Sequence, residues 1–134
     1  MTVRTRGSTG ESLDRLMRFP QEYLDSDWWW ASVAHHLSEL GEELARTDIA
    51  GLAAQITTDA PHFAAAAHRL SAIHDQAQLD VARSCREVAG SCASTAAAGD
   101  VRDGIEALLR RVRSLDRLSS DLMLDTYERD IGGD

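Results

Sequence analysis

Apolar and polar residues recur along the chain with the period of an α-helix. Between residues 27 and 47 the apolar positions are three or four apart and form one stripe, made of Trp30, Val33, Leu37, Leu40 and Leu44. At about 100° per residue these side chains share one face of a helix. No stretch alternates apolar and polar positions with β-branched content, as a half-buried strand would. The pattern predicts an all-α protein.

Capping residues, prolines and glycines divide the pattern into segments. A capping box at Ser8 and Glu11 opens the first segment, and Pro20 limits it. The predicted segments are a short one from Ser8 to Arg18, a helix capped by Asp25 or Asp27 that runs to about Thr47, a short continuation or separate helix from Asp48, a long helix over roughly 61–93 with Pro61 in its first turn, and a last helix from Asp100 to the glycines before Asp134. Residues 94–100 are predicted to form a loop.

The chain is expected to be a single domain, residues 1–134. Its apolar fraction of 43% and charged fraction of 27% are those of an ordinary globular protein. Residues 1–20 are expected to contribute a short N-terminal helical segment, and residues 130–134 a tail. The segments together predict an antiparallel helical bundle of about four helices.

Three adjacent tryptophans stand at the start of the second predicted helix. By helical angle, Trp29 and Trp30 each lie about 50° from the core direction and are predicted to be buried. Trp28 points away from the core. It is predicted either to cover the end of the bundle or to contact a partner.

Helical angle also assigns the histidines to different faces of their helices. His35 lies with Glu39 on an acidic solvent face, whereas His36 lies on the flank of the core stripe. His74 lies within the buried stripe of the long helix, so its imidazole needs a hydrogen-bond partner or a metal. The candidate partners are Gln78, Asp116 and Ser119. If His74 is a core histidine, His74→Leu is predicted to leave the free energy of unfolding nearly unchanged or slightly raised.

Composition and charge narrow the classes of function. Lysine and asparagine are absent, so the 14 strongly basic residues are all arginine, which favours a GC-rich bacterial origin. The formal net charge of −8 argues against sequence-independent binding to nucleic acid, which depends on neutralising phosphates. No apolar run approaches the roughly 20 residues of a membrane span, and no apolar segment follows the N-terminal arginines as in a signal peptide. Cys85 and Cys92 are predicted to be two buried thiols in a reducing cytoplasm, with an intermolecular disulfide as the alternative.

Several apolar residues fall outside the predicted core stripes, and no catalytic motif accompanies them. Leu79 points almost opposite the buried stripe of the long helix, in line with Ala72. The chain has no glycine-rich phosphate loop, no Gly-x-Ser-x-Gly and no His-Glu-x-x-His. These features favour a non-enzymatic interaction protein without a cofactor, whose partner is itself or another helical protein. Its predicted interface residues are Trp28, Ala72 and Leu79.

Two short motifs support an alternative. "HHLSE" places His35 and Glu39 at His-x-x-x-Glu spacing, and "HDQAQ" runs from His74 to Gln78. With these motifs the small bundle resembles the hemerythrin-like family, whose members hold a non-haem di-iron site inside four helices. The resemblance implies a metal- or oxygen-binding bundle with non-haem iron as cofactor. Its candidate inward-facing ligands here are His36, His74, Gln78, Glu43 and Asp116.

A third motif lies in the long helix. "AAHRLSA", around His68, resembles the phosphoacceptor helix of histidine phosphotransfer domains, but Ser71 and Ala72 stand where that family has a basic residue and a glycine. The tryptophans near a helix end are also similar to those of WXG-type small secreted proteins, although "WWWAS" lacks the glycine of that motif.

Overall fold

The structure is a computed structural model, and it describes residues 7–19, 26–90 and 95–128. These ranges contain five α-helices and no strand: α1 (Gly7–Met17), α2 (Asp27–Arg46), α3 (Ile49–Asp59), α4 (Ala64–Gly90) and α5 (Thr95–Met123), with a 3₁₀ turn at Pro61–Phe63 and a π-helical turn at Leu124–Glu128. The all-α prediction is confirmed.

Helix α4 lies at the centre of the bundle. It packs against α2, α3 and α5, while the short helix α1 packs against α2 and α5. Helices α2 and α4 are antiparallel, because Gly41 lies against Val81 and the Leu44 carbonyl lies against His74. Three long helices and two short ones therefore form a bundle of about four helices, as predicted.

The three tryptophans occupy three different environments. Trp29 is 0% exposed, and its indole Nε1 donates a hydrogen bond of 2.9 Å to the Leu16 carbonyl of α1. Trp30 packs edge-on against Trp29 but is only partly buried. Trp28 is 55% exposed. The prediction is confirmed for Trp29 and Trp28, whereas Trp30 is less buried than expected because the core stripe of α2 runs through Trp29, Val33 and Leu37.

Two helix starts are fixed by side-chain caps. The Ser26 hydroxyl accepts a hydrogen bond from the backbone N–H of Trp29, so Ser26 caps α2 and Asp27 is the first helical residue. Asp48 caps α3 by accepting from the N–H of Gly51 at 2.9 Å, so this segment is a separate helix. The predicted caps of α2 were Asp25 or Asp27, but Asp27 lies within the helix. Asp25 lies outside the described residues, as do Cys92 and the predicted tail at 130–134.

The connection before the last helix was predicted incorrectly. Residues 94–100 were expected to form a loop, yet α5 begins at Thr95. Ala98 and Val101 are buried, so this segment belongs to the packed face of α5. Alanine has the highest helix propensity, and this propensity, together with the burial of Ala98, outweighs the turn preference of Gly99.

Two polar contacts join helices outside the apolar core. Asp80 of α4 forms an ion pair with Arg111 of α5 at 2.9 Å. Tyr127, in the C-terminal turn, donates a hydrogen bond of 2.8 Å to the carboxylate of Asp59 at the end of α3. Hydrogen bonds from Gln55 and Tyr127 lower the pKa of Asp59, and partial burial together with this carboxylate raises the pKa of Tyr127. The second contact holds the end of the described chain against α3.

Candidate functional site

His74 is a core histidine that caps a neighbouring helix. It is 8% exposed, and its Nε2 lies 2.8 Å from the carbonyl oxygen of Leu44. Since a carbonyl can only accept, Nε2 carries the proton in this hydrogen bond. Leu44 lies in the last turn of α2, where carbonyl groups lack an intrahelical partner, and only the N–H of Thr47 also reaches it, at 3.3 Å.

The burial of His74 was predicted correctly, but its partner was not. The sequence suggested Gln78, Asp116 or Ser119, and the partner is the backbone carbonyl of Leu44. The Ser119 hydroxyl instead donates to the Asp116 carbonyl at 3.0 Å. Every helix ends in backbone carbonyls that lack a partner within the helix, whatever its side chains are. The positions of side chains around a helix therefore do not show which of these carbonyls a histidine on another helix reaches.

The contact with Leu44 changes the expected effect of replacing His74. We expect His74→Leu to lower the free energy of unfolding by about 1–2 kcal/mol, because a buried carbonyl loses its best donor. His74→Gln, whose amide nitrogen can take the place of Nε2, should recover part of the loss. Urea unfolding of both variants measures the difference. Equal stability of His74→Leu and the wild-type protein would mean that the hydrogen bond contributes nothing.

The ligand set implied by the hemerythrin-like resemblance is not gathered in the bundle interior. His36 precedes Leu44 by eight residues, which is about 12 Å along α2, while Nε2 of His74 is turned to Leu44. Ligands of one ion each lie only about 2 Å from it, so these two histidines do not share an ion. Gln78, Glu43 and Asp116 are partly buried. Among the described residues, the one group of three histidine, cysteine or acidic ligand atoms within 4.8 Å of one another is His35, His36 and Glu39, so the described residues do not bring together an interior iron centre.

Two histidines and a glutamate do come together, on the outer face of α2. Nε2 of His35 lies 2.8 Å from Oε1 of Glu39, and Nδ1 of His36 lies 3.2 Å from the same oxygen. Among the described residues this is the one group of three histidine, cysteine or acidic side chains whose ligand atoms lie within 4.8 Å of one another. The sequence correctly placed His35 and Glu39 on the solvent face. It did not indicate that His36, one residue away, also turns its ring to Glu39.

The predicted interface residues lie at the surface. Leu79 is 61% exposed and Ala72 is exposed one heptad before it on α4. Trp28 packs its ring against Phe19 with 5.2 Å between the ring centroids and leaves the rest of its surface open. His68 is exposed on α4 as well.

The grooves along α5 are lined by arginine rather than by a catalytic set. Arg110, Arg113 and Arg117 line open depressions on the outer face of α5, together with Ser114. The described residues that line these grooves include no histidine that could act as a general base toward Ser114. Cys85 was predicted to be buried but is only half-buried, at the edge of the core. This burial still raises the pKa of its thiol, which disfavours the reactive thiolate.

Comparison of the chain with protein-family models, with curated proteins and with solved structures gave no match. None of the helices that the structure describes combines the length and the apolar character needed to cross a bilayer.

Proposed function

We propose that this protein is a non-enzymatic helical interaction module that associates with a second copy of itself through the exposed face of α4. The observation that carries the proposal is the exposure of Leu79, 61% of whose surface faces solvent near the middle of a helix of 27 residues. A large aliphatic side chain in this position gains stability only when another surface covers it.

The residues in line with Leu79 favour a helix as the covering surface. Ala65 and Ala72 are both exposed. Ala65, Ala72 and Leu79 follow one another at intervals of one heptad along α4. Small side chains allow a second helix to approach closely, and the leucine then fills a hole between side chains of that helix. A second copy of α4 offers the same combination of leucine and alanine, and twofold self-pairing is the commonest form of assembly.

Trp28 offers a second contact surface at the end of α2. Tryptophan is enriched among the residues that dominate binding energy, and this one presents more than half of its surface beside Phe19. It lies at the start of α2, whereas Leu79 lies within α4, so the two surfaces can be tested by separate substitutions.

Replacing Leu79 by glutamate is expected to disrupt self-association. Burial of one leucine contributes about 1.5–3 kcal/mol, and a symmetric pair loses two such contacts, so the dissociation constant should rise about 100-fold or more. Sedimentation velocity over a range of protein concentrations measures this shift.

Ala54→Glu is the matched control, because Ala54 is exposed on α3 and the substitution adds the same charge. It should associate like the wild-type protein. Trp28→Gln tests the second surface, and association lost only in this variant would transfer the interface to Trp28. A wild-type protein that stays monomeric at millimolar concentration would refute self-association.

A further inference from the structure

The cluster of His35, His36 and Glu39 combines the side chains that borderline divalent metals prefer. Imidazole nitrogen and carboxylate oxygen are both common ligands of zinc. The three residues lie within five consecutive positions of α2, so the helix backbone holds their Cα atoms in fixed relation without a contribution from any loop. His35 and Glu39 lie on the outer side of the bundle, whereas His36 lies on the flank of the core stripe and its side chain is 28% exposed.

We propose that this cluster binds one Zn²⁺ ion through Nε2 of His35, Nδ1 of His36 and a carboxylate oxygen of Glu39, with water completing the coordination. In tetrahedral zinc sites neighbouring ligand atoms lie about 3.3 Å apart. The distance of 3.2 Å between His36 and Glu39 already fits, and the distance of 2.8 Å between His35 and Glu39 needs to widen by about 0.5 Å. The ligand atoms of His35 and His36 lie within 4.8 Å of each other and must also adjust to the tetrahedral spacing. Rotation of the exposed His35 side chain and of Glu39 provides this movement.

The environment of His36 supports a ligand at this place. Its Nδ1 is shielded from solvent and forms no hydrogen bond, although it lies 3.2 Å from Oε1 of Glu39, because the two groups are not aligned. A polar nitrogen that is shielded from water and has no partner destabilises the folded protein. An ion bound between this nitrogen and Oε1 of Glu39 would give the nitrogen a partner.

The charge of the surrounding helix also favours a cation. Glu42 and Glu43 follow within one turn of Glu39, and Arg46, the basic residue at the end of α2, lies beside Glu42 at 3.8 Å. The formal net charge of the chain is −8. A dication at this face therefore meets attraction from the protein as a whole.

This site differs from an interior iron centre and does not depend on self-association. The His35 side chain is 69% exposed and that of Glu39 45% exposed, so the ion would bind from solvent and keep at least one open coordination position. The site would have three protein ligands and one open position, which is the number found in catalytic zinc sites, whereas structural zinc sites have four protein ligands.

Isothermal titration of the full chain, without a histidine tag, with zinc chloride tests the proposal. The wild-type protein is expected to bind one Zn²⁺ per chain. His35→Ala and Glu39→Gln should each weaken binding by about tenfold or more, since even the loss of an outer-shell partner of a ligand commonly costs about 10–100-fold. His68→Ala and Cys85→Ser remove other possible ligands on α4, and we expect both to bind like the wild-type protein.

Histidine ring NMR gives an independent readout. Zinc should shift the ring signals of His35 and His36 and leave those of His62 and His68 in place. The proposal is overturned if millimolar zinc does not bind, if His35→Ala and Glu39→Gln bind as tightly as the wild-type protein, or if His68→Ala or Cys85→Ser abolishes binding. Circular dichroism of each variant checks that α2 stays folded.

Discussion

Replacing Trp29 by alanine is expected to lower the free energy of unfolding by about 3–5 kcal/mol, the cost typical of removing a buried aromatic side chain. Trp29 is 0% exposed, and the substitution removes the largest fully buried side chain of the described core. It also leaves the Leu16 carbonyl of α1 without the indole donor at 2.9 Å. Since small domains are stable by about 5–15 kcal/mol, a loss of this size takes much of the total. Urea unfolding followed by circular dichroism measures it.

Two further variants separate packing from hydrogen bonding at this position. Trp29→Phe keeps an aromatic ring but lacks the indole N–H, so its free energy of unfolding should lie between those of the wild-type protein and Trp29→Ala. Trp28→Ala is the control from the adjacent position. It should cost less than about 1.5 kcal/mol, since Trp28 contributes a ring contact with Phe19 at an exposed site. Similar losses in Trp28→Ala and Trp29→Ala would contradict the assigned core.

Replacing Gly41 by leucine is expected to destabilise the protein by about 1–3 kcal/mol through overpacking. A Cβ atom at this position would already lie 3.1 Å from Cγ1 of Val81, closer than ordinary van der Waals contact. A longer side chain fits only if the Val81 side chain or α2 itself shifts, and the hydrogen bond between His74 and Leu44 spans the same interface. Thermal and urea unfolding of Gly41→Leu test this expectation.

Gly104 provides the matched control for Gly41. It is exposed within α5, and a Cβ atom there would meet nothing within 4 Å. Gly104→Leu should therefore stabilise the protein by about 0.5–1 kcal/mol, the gain from replacing glycine inside a helix. If Gly41→Leu were as stabilising as Gly104→Leu, this result would contradict the close packing of α2 against α4 at Val81.

The sequence predicted the positions that depend on helical period and local capping. The exposure of Leu79, the burial of His74 and the helix start at Asp48 can be read from residue spacing and start signals within single segments of the sequence. The helix at 95–100 was missed because turn residues were given more weight than alanine propensity and burial.

The candidate sites depended on contacts that spacing alone does not specify. The partner of His74 is a carbonyl at the end of a different helix, and its position is set by how α2 and α4 pack. The approach of His36 to Glu39 depends on a side-chain rotamer, which helical angle does not determine. Helical angle therefore distinguishes the buried face of α2 from its exposed face, but it does not show that the side chains of His35 and His36 both approach Glu39.

Helix α1 connects parts of the bundle that otherwise have little contact. It packs on both α2 and α5, two helices that contact each other little, and the bond from Trp29 to Leu16 fixes one side of this arrangement. An isolated helix of 11 residues is marginal in water, so α1 should be helical only while it is docked. Its amide hydrogens should then exchange with solvent in a single cooperative opening, at lower free energy than those of α4. In this respect α1 is a sub-global unfolding unit, and its detachment would separate α2 from α5 before the central helix loses structure.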